Sequence, residues 1–184
     1  LAGCTSGADP GSEEVPATTA ESSAAGSTSV TDGAVPTAKE TLTLPMDPSE
    51  LESLAVSGGP SKDGIPSIDD PSFVGPDDAD FLDPGDPVFG VVLNGDVKAY
   101  PQKILVQHEI VNDRLGDLPV AVTYCPLTGT VQGFERGETT FGVSGRLINN
   151  NLVMYDRATE AWWPQILATS IPGPWNSAPG TRSL

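Results

Sequence analysis

The sequence predicts a mainly β domain: antiparallel hairpins forming a sandwich or partly open barrel, with short helical pieces, after a disordered N-terminal stalk. Large hydrophobic side chains are nearly missing from the first 45 residues. Beyond them, β-branched and aromatic residues come in short runs separated by Gly, Asn and Asp turn signals. That is the rhythm of hairpins rather than of amphipathic helices.

The chain opens with "LAGC", the hydrophobic, small, small, Cys order of a bacterial or archaeal lipoprotein processing site. Residues 1–4 are therefore expected to be the remnant of that site, with an upstream signal peptide removed and Cys4 as the lipidated mature N-terminus. The chain would then sit on the outer face of the cytoplasmic membrane or at the cell surface, its membrane contact made through the lipid. No run of about 18 apolar residues is present to cross a bilayer. Residues 5–45, rich in Ser, Thr, Ala, Pro and Glu, cannot bury enough surface to offset their ordering entropy and are expected to form a disordered, acidic tether. Such a stalk supplies reach between anchor and domain.

The β-rich domain is expected over residues 57–184, within the usual single-domain size. "PVFGVVLNGDVKAY" predicts a hairpin turning at Asn94-Gly95, the dipeptide best suited to two successive positive φ angles. "VQGFERGETTFGVSG" and "NNLVMYDRATEAWW" repeat the scheme, with Arg136-Gly137 and residues 156–159 as connections. Short helices are expected near 48–55 and 101–106.

Charge excludes some partners. Nine basic residues stand against 25 acidic ones, for a net charge of −16 and a pI near 4.1, which argues against nucleic acid and against docking on anionic lipid. Eleven carboxylates and one cation, Lys62, fall between Asp47 and Asp86. That segment lacks the alternating ligand spacing of a calcium loop, so the acid excess reads as the solvated surface of a protein from a high-salt habitat.

"HEIVNDRLGDLPVAVTYCPLTGT" (residues 108–130) holds the only histidine and the only cysteine beyond Cys4. With Gly116-Asp117 as a two-residue turn, Leu115 faces Leu118 and His108 faces Cys125. Val111, Leu115, Leu118, Val120, Val122 and Tyr124 then share one face, read as core. His108, Ile110, Asn112, Arg114, Ala121, Thr123 and Cys125 share the other, read as a site. Glu109 and Asp113 fit the apolar face poorly and call for a sheet end or a bulge there. Directly opposed side chains have Cβ atoms about 5 Å apart. At that distance His108 and Cys125 are candidate catalytic residues, the imidazole activating the thiol as a nucleophile. They are equally candidate metal ligands, with copper or zinc as the metal. A third outcome is a quiet pair, a buried Cys and a structural His.

Several blocks in fixed order carry a family resemblance: "GGPSKDGIPSIDDPSFV", "DPVFGVVLNGDVKAYP", the 108–130 stretch, "FGVSGRLINNNLVMYDRATEAWWPQ" and "IPGP". Together, over about residues 57–184, they resemble domain-of-unknown-function family 3179, found in bacteria and haloarchaea. The resemblance implies secreted or lipid-anchored proteins without an assigned activity, and marks "HEIVND" and "YCPL" as signature blocks. Similar proteins commonly read Cys-Pro-Leu-Cys-Gly where this chain has Cys125-Pro126-Leu127-Thr128-Gly129. Thr128 thus removes a two-thiol redox or metal site here. Similar proteins also continue past "GTRSL" with a block rich in Trp and His or Lys, so the domain is expected to be truncated at its C-terminus.

Ser144 in "FGVSGR" has the wrong flanks for a nucleophile elbow. Tyr155, Trp162 and Trp163 could line a groove, although aromatics near a strand end more often close a core. Arg146 and Arg157 are candidates for anion recognition or for solvated surface. The leading functional expectation is a lipid-anchored extracytoplasmic domain that binds a small molecule or metal at a His108/Cys125 centre. A thiol-dependent enzyme using Cys125 with His108 is the alternative, and a structural surface module the third.

Overall fold

The computed structural model describes residues 46–173. The lipidation at Cys4, the tether over 5–45 and the C-terminal stretch from 174 onward lie outside the described residues. The first element is helix α1 (Pro48–Ser53), which Asp47 caps by accepting a hydrogen bond from the Ser49 amide at 2.9 Å, with Pro48 in the first turn. Strands β1 (Val56–Ser57), β2 (Ile68–Asp69), β3 (Val88–Leu93) and β4 (Asp96–Pro101) follow. Helix α2 (Gln102–His108) leads into β5 (Ile110–Leu115), β6 (Leu118–Cys125), β7 (Thr130–Glu135), β8 (Phe141–Ile148), β9 (Asn151–Asp156) and β10 (Trp162–Pro164).

The strands form one four-stranded sheet in the order β1-β8-β9-β10, a second in the order β2-β5-β6-β7, and a β3-β4 ribbon. Every pairing is antiparallel except the short β2–β5 contact. The expected mainly β class, antiparallel sheets and short helices are all present, and the sheets pack as a sandwich without closing into a barrel. Between them lies a core of Ile110, Ala121 and Cys125 from the second sheet against Phe141, Val143, Leu152, Met154 and Trp163 from the first. Phe141 and Trp163 meet edge to face at 5.5 Å, the geometry that their ring quadrupoles favour. Helix α1 covers the outer face of the first sheet, where Leu51 joins Val153, Tyr155 and Trp162. The ribbon and α2 cover the outer face of the second, where Tyr100 and Leu105 meet Val111, Val122 and Tyr124.

Local chemistry placed several of these elements as expected. Asn94 (φ 53°) and Gly95 (φ 85°) make the β3–β4 turn. Leu115 faces Leu118, and the register runs back to Ile110 opposite Thr123. The β9–β10 hairpin forms across residues 157–161. The expected hairpin across Arg136-Gly137 does not: β7 pairs with β6 and β8 with β9, so this connection crosses from one sheet to the other. The reason is visible in Arg136. Its guanidinium is buried and donates to the carbonyls of Val120 in β6 (3.1 Å) and of Thr139 in the connection (2.5 Å), which anchors the connection to the second sheet instead of closing it as a turn. The β8–β9 turn is made by Asn149 and Asn150, both at positive φ. Strand β8 carries a register shift between Val143 and Arg146. Gly145 sits there at φ 74°, and a Cβ on it would lie 2.2 Å from the Pro60 carbonyl oxygen, so only glycine fits.

The division of the β5–β6 hairpin into a core face and a site face is also corrected. Both faces are buried, one under the ribbon and α2, the other under the opposite sheet. Asn112 faces the opposite sheet and bridges to it. Its side-chain amide donates to the Phe141 carbonyl (2.8 Å) and to Asp69 Oδ1 (2.7 Å), while its oxygen accepts from the Phe141 amide (2.9 Å). Asn112→Ala strands the amide of buried Phe141 and leaves its carbonyl only the Arg157 guanidinium (3.0 Å), and this should lower unfolding free energy by about 1–3 kcal/mol in urea titrations. A loss within error of zero would remove the bridge from the account of stability.

Candidate functional site

His108 closes α2 instead of entering β5. The hairpin register continues one step past Ile110, because the Tyr124 amide donates to the Glu109 carbonyl at 2.7 Å. The chain then turns into the helix, so the expected cross-strand pair is a helix end set over a strand end. The reason is Glu109, which takes φ 59° and ψ −31° and ends α2 with its amide donating to the Leu105 carbonyl at 2.8 Å. A left-handed backbone at a non-glycine residue costs of order 1 kcal/mol and persists only where neighbours enforce it. The helix bond on one side and the strand bond on the other do so here.

The three side chains at this junction have separate surroundings. His108 is half-buried and its Nδ1 lies 2.8 Å from the Pro66 carbonyl. A carbonyl only accepts, so Nδ1 carries the hydrogen and Nε2 holds the lone pair of the neutral ring. Cys125 is 1% exposed, inside the inter-sheet core, with its thiol 3.7 Å from the Asn150 carbonyl. No hydrogen bond joins His108 to Cys125 among the described residues. Glu109 is half-buried, and removal from water pushes its carboxyl up to about 7. Among the described residues no group of three or more His, Cys, Asp or Glu side chains gathers as a metal-binding set. The copper or zinc expected for His108 and Cys125 would find no third described ligand with them.

Beside Cys125 runs a polar line, buried at Thr123, Asn151 and Gln165. Gln165 donates to Thr123 Oγ1 (2.9 Å), and its oxygen accepts from Asn151 Nδ2 (2.8 Å), which also donates to Thr128 Oγ1 (3.0 Å). Thr128 therefore has a structural partner in β9 at the position where the family resemblance placed a second cysteine. Asp156, fully buried, accepts from Trp163 Nε1 (2.8 Å) and from the Thr159 hydroxyl (2.7 Å). Sequence reasoning put Asn112 on the face read as a site and gave Asp156 and Gln165 no buried role, because nothing in their local spacing separates a buried polar residue from an exposed one.

The remaining sequence candidates resolve into structure. Ser144 is buried and donates to the Val153 carbonyl at the β8 irregularity. Tyr155, Trp162 and Trp163 close the core, and the Tyr155 hydroxyl, bonded to Asp63, is pushed up to about 12 by burial and then by that carboxylate. Arg157 is engaged by Asp63 (3.3 Å) and Asp69 (3.6 Å). Arg146 is exposed.

A concave site does exist, on the far side of the second sheet. A cavity of about 750 Å³ lies between the segment 71–82, the ribbon and α2. Its walls include Phe73, Val74, Val88, Val97, Ile104 and Leu105. Gly90 faces Ala99 across the ribbon in this wall, and a Cβ on Gly90 would meet nothing within 4 Å. The smallest pair of the ribbon thus leaves the space open. Ser72, Lys98 and Tyr100 are the polar side chains of the lining. Lys98 Nζ binds both oxygens of Asp113 at 2.9 Å and lies 4.6 Å from the centre of the Phe73 ring. The Tyr100 hydroxyl donates to Asp113 at 2.8 Å, and burial, followed by this carboxylate, holds its pKa far above that of an ordinary phenol. Asp113, the misfit on the apolar face of β5, is accounted for by these two neighbours. His108 lies one turn beyond Ile104 on the same helix face, and Pro66, which holds its ring, is two residues before Ile68 of the cavity wall.

A family model described as "Protein of unknown function (DUF3179)" matches residues 62–179. The chain belongs to this family. No curated protein and no solved structure matches it. The DUF3179 domain therefore contains the cavity, the α2–β5 junction and the inter-sheet polar groups alike.

Within this DUF3179 domain, Glu109 ties stability to pH. Its folded pKa lies near 7 against an ordinary 4.5. Below about 4.5 the carboxyl is protonated in both folded and unfolded chains. As pH rises towards 7 the unfolded chain ionises first, so stability falls across this window and levels off above it. Glu109→Gln should abolish that slope and be the more stable protein above pH 7, read from urea midpoints at constant salt. Parallel pH profiles for the two proteins would show that the group does not titrate there.

Proposed function

We propose that this protein is a lipid-anchored, extracytoplasmic binding protein whose ligand is an apolar small molecule held in the cavity beside α2. The observation that carries the reading is the cavity itself: about 750 Å³, lined mostly by apolar side chains with a few polar ones, which is the usual form of a small-molecule site. Thiol catalysis draws less support, because a nucleophile needs access and Cys125 is 1% exposed within the core. A metal centre draws less still, since Cys125 and His108 have no third described ligand. Attachment to the membrane rests on "LAGC" and the Ser/Thr-rich stretch behind it. Among the described residues no helix is long and apolar enough to cross a membrane.

The binding reading is tested with the neutral fluorophore N-phenyl-1-naphthylamine. It should bind one-to-one with a blue-shifted, enhanced emission, and Gly90→Leu, which places a side chain in open space, should abolish the signal while leaving circular dichroism unchanged. Binding that survives Gly90→Leu would place the site elsewhere. Iodoacetamide should meanwhile modify Cys125 only on unfolding; rapid labelling of the native protein would return the thiol reading to first place.

Attachment is tested separately, in cells producing the full precursor. Cys4→Ser should stop lipid incorporation and leave unprocessed chain. A variant that is still processed and membrane-bound would overturn the lipoprotein assignment.

A further inference from the structure

We propose that the cavity takes a cationic amphiphile, an extended apolar body whose ammonium head rests at an acidic lip; this deepens, and rests on, the reading of the cavity as the ligand site. The first support is the state of the cation in the wall. Lys98 has three ammonium hydrogens and three acceptors: Asp113 Oδ1 and Oδ2 at 2.9 Å and the Arg114 carbonyl at 2.7 Å. No donor is left for a ligand carboxylate or phosphate, and Asp113 cancels the charge. The Tyr100 hydroxyl is likewise committed to Asp113. Ser72, the remaining polar wall residue, is neutral. Lys103, on the helix that forms one side of the cavity, is held by Asp86 (2.7 Å) and by the Phe81 carbonyl (2.8 Å).

The second support is the lip. Pro76, Ala79 and Leu82 line the cavity, and interleaved with them are Asp77, Asp78 and Asp80, which no ion pair neutralises among the described residues. The Asp78 carboxylate lies 3.5 Å from the point where a Cβ on Gly75 would stand, and Gly75 is itself in the wall. An anionic head would meet these carboxylates with no cation free to receive it. A neutral head gains nothing from them. An ammonium head gains their attraction while its tail is withdrawn from water. The chain's net charge of −16 acts in the same direction at longer range.

The test is calorimetric titration of the full chain with decyltrimethylammonium, decanol and decanoate. The two ionic probes are kept below their micellar concentrations and decanol below its solubility limit, at a KCl concentration where circular dichroism reports the folded protein. Decyltrimethylammonium should bind one-to-one and about tenfold more tightly than decanol, with decanoate weakest and the spread collapsing in molar KCl. The triple variant Asp77→Asn/Asp78→Asn/Asp80→Asn should reduce decyltrimethylammonium to the affinity of decanol and leave decanol unchanged. Equal binding of the cationic and neutral probes, or tightest binding of decanoate, would overturn the cationic preference and leave the cavity reading intact. Cationic binding that persists in Gly90→Leu would be surface association and also overturns the proposal. If none of the three binds, the cavity reading falls with it.

Discussion

The two sheets of this domain are joined through the side chain of Asn112. An asparagine amide presents a donor and an acceptor in nearly the arrangement of a peptide group, and here it completes the backbone hydrogen bonds of Phe141 across the sandwich. Its second donor hydrogen goes to Asp69, in the short parallel strand at the edge of its own sheet. Apolar packing alone would let two sheets slide. A buried amide that must find three partners allows one alignment, since any other leaves polar groups unsatisfied in a dry interior. The placement of β8 over β5, and with it the packing of Trp163 on Phe141, follows from that alignment.

The same logic runs through the remaining interior. Asp156 is fully buried, yet it accepts from an indole, a hydroxyl and the Thr159 amide, which together replace the water it has lost. Gln165, Asn151, Thr123 and Thr128 form a second satisfied line next to the Cys125 thiol. Several polar residues of the blocks that looked like a reaction centre are thus spent on holding the sandwich together. Glu109 is the exception. Its left-handed backbone is held by bonds from both sides while its carboxyl is left half-buried, and burial raises its pKa.

Opposite the polar interior, the outer face of the second sheet is covered incompletely. The ribbon packs Phe89, Val91 and Tyr100 downward onto the sheet, and Val92 and Val97 stay about 75% exposed on its other side. Two strands without a second layer cannot bury both faces, and the 71–82 segment arches near them without filling the space. The cavity is the volume left between these pieces. Its polarity is set by one neutralised contact, Lys98 with Asp113, and the Asp77, Asp78 and Asp80 carboxylates next to its wall stay exposed, as sequence composition led one to expect.

By itself the sequence determined what depends on neighbours a few residues apart. The β class follows from period-two runs, the Asn94-Gly95 turn from its two positive φ angles, and the Leu115–Leu118 register from the turn at Gly116. Family membership was legible too, because it rests on the order of several blocks rather than on any fold. Tertiary structure alone decided which sheet each strand joins, that Arg136 crosses between sheets instead of turning, and that both faces of β5–β6 are buried. It also ended the His108 strand early in favour of a helix, and it built the cavity from segments tens of residues apart. These outcomes turn on which distant groups satisfy a buried donor or acceptor, and the spacing of residues along the chain carries no record of that choice.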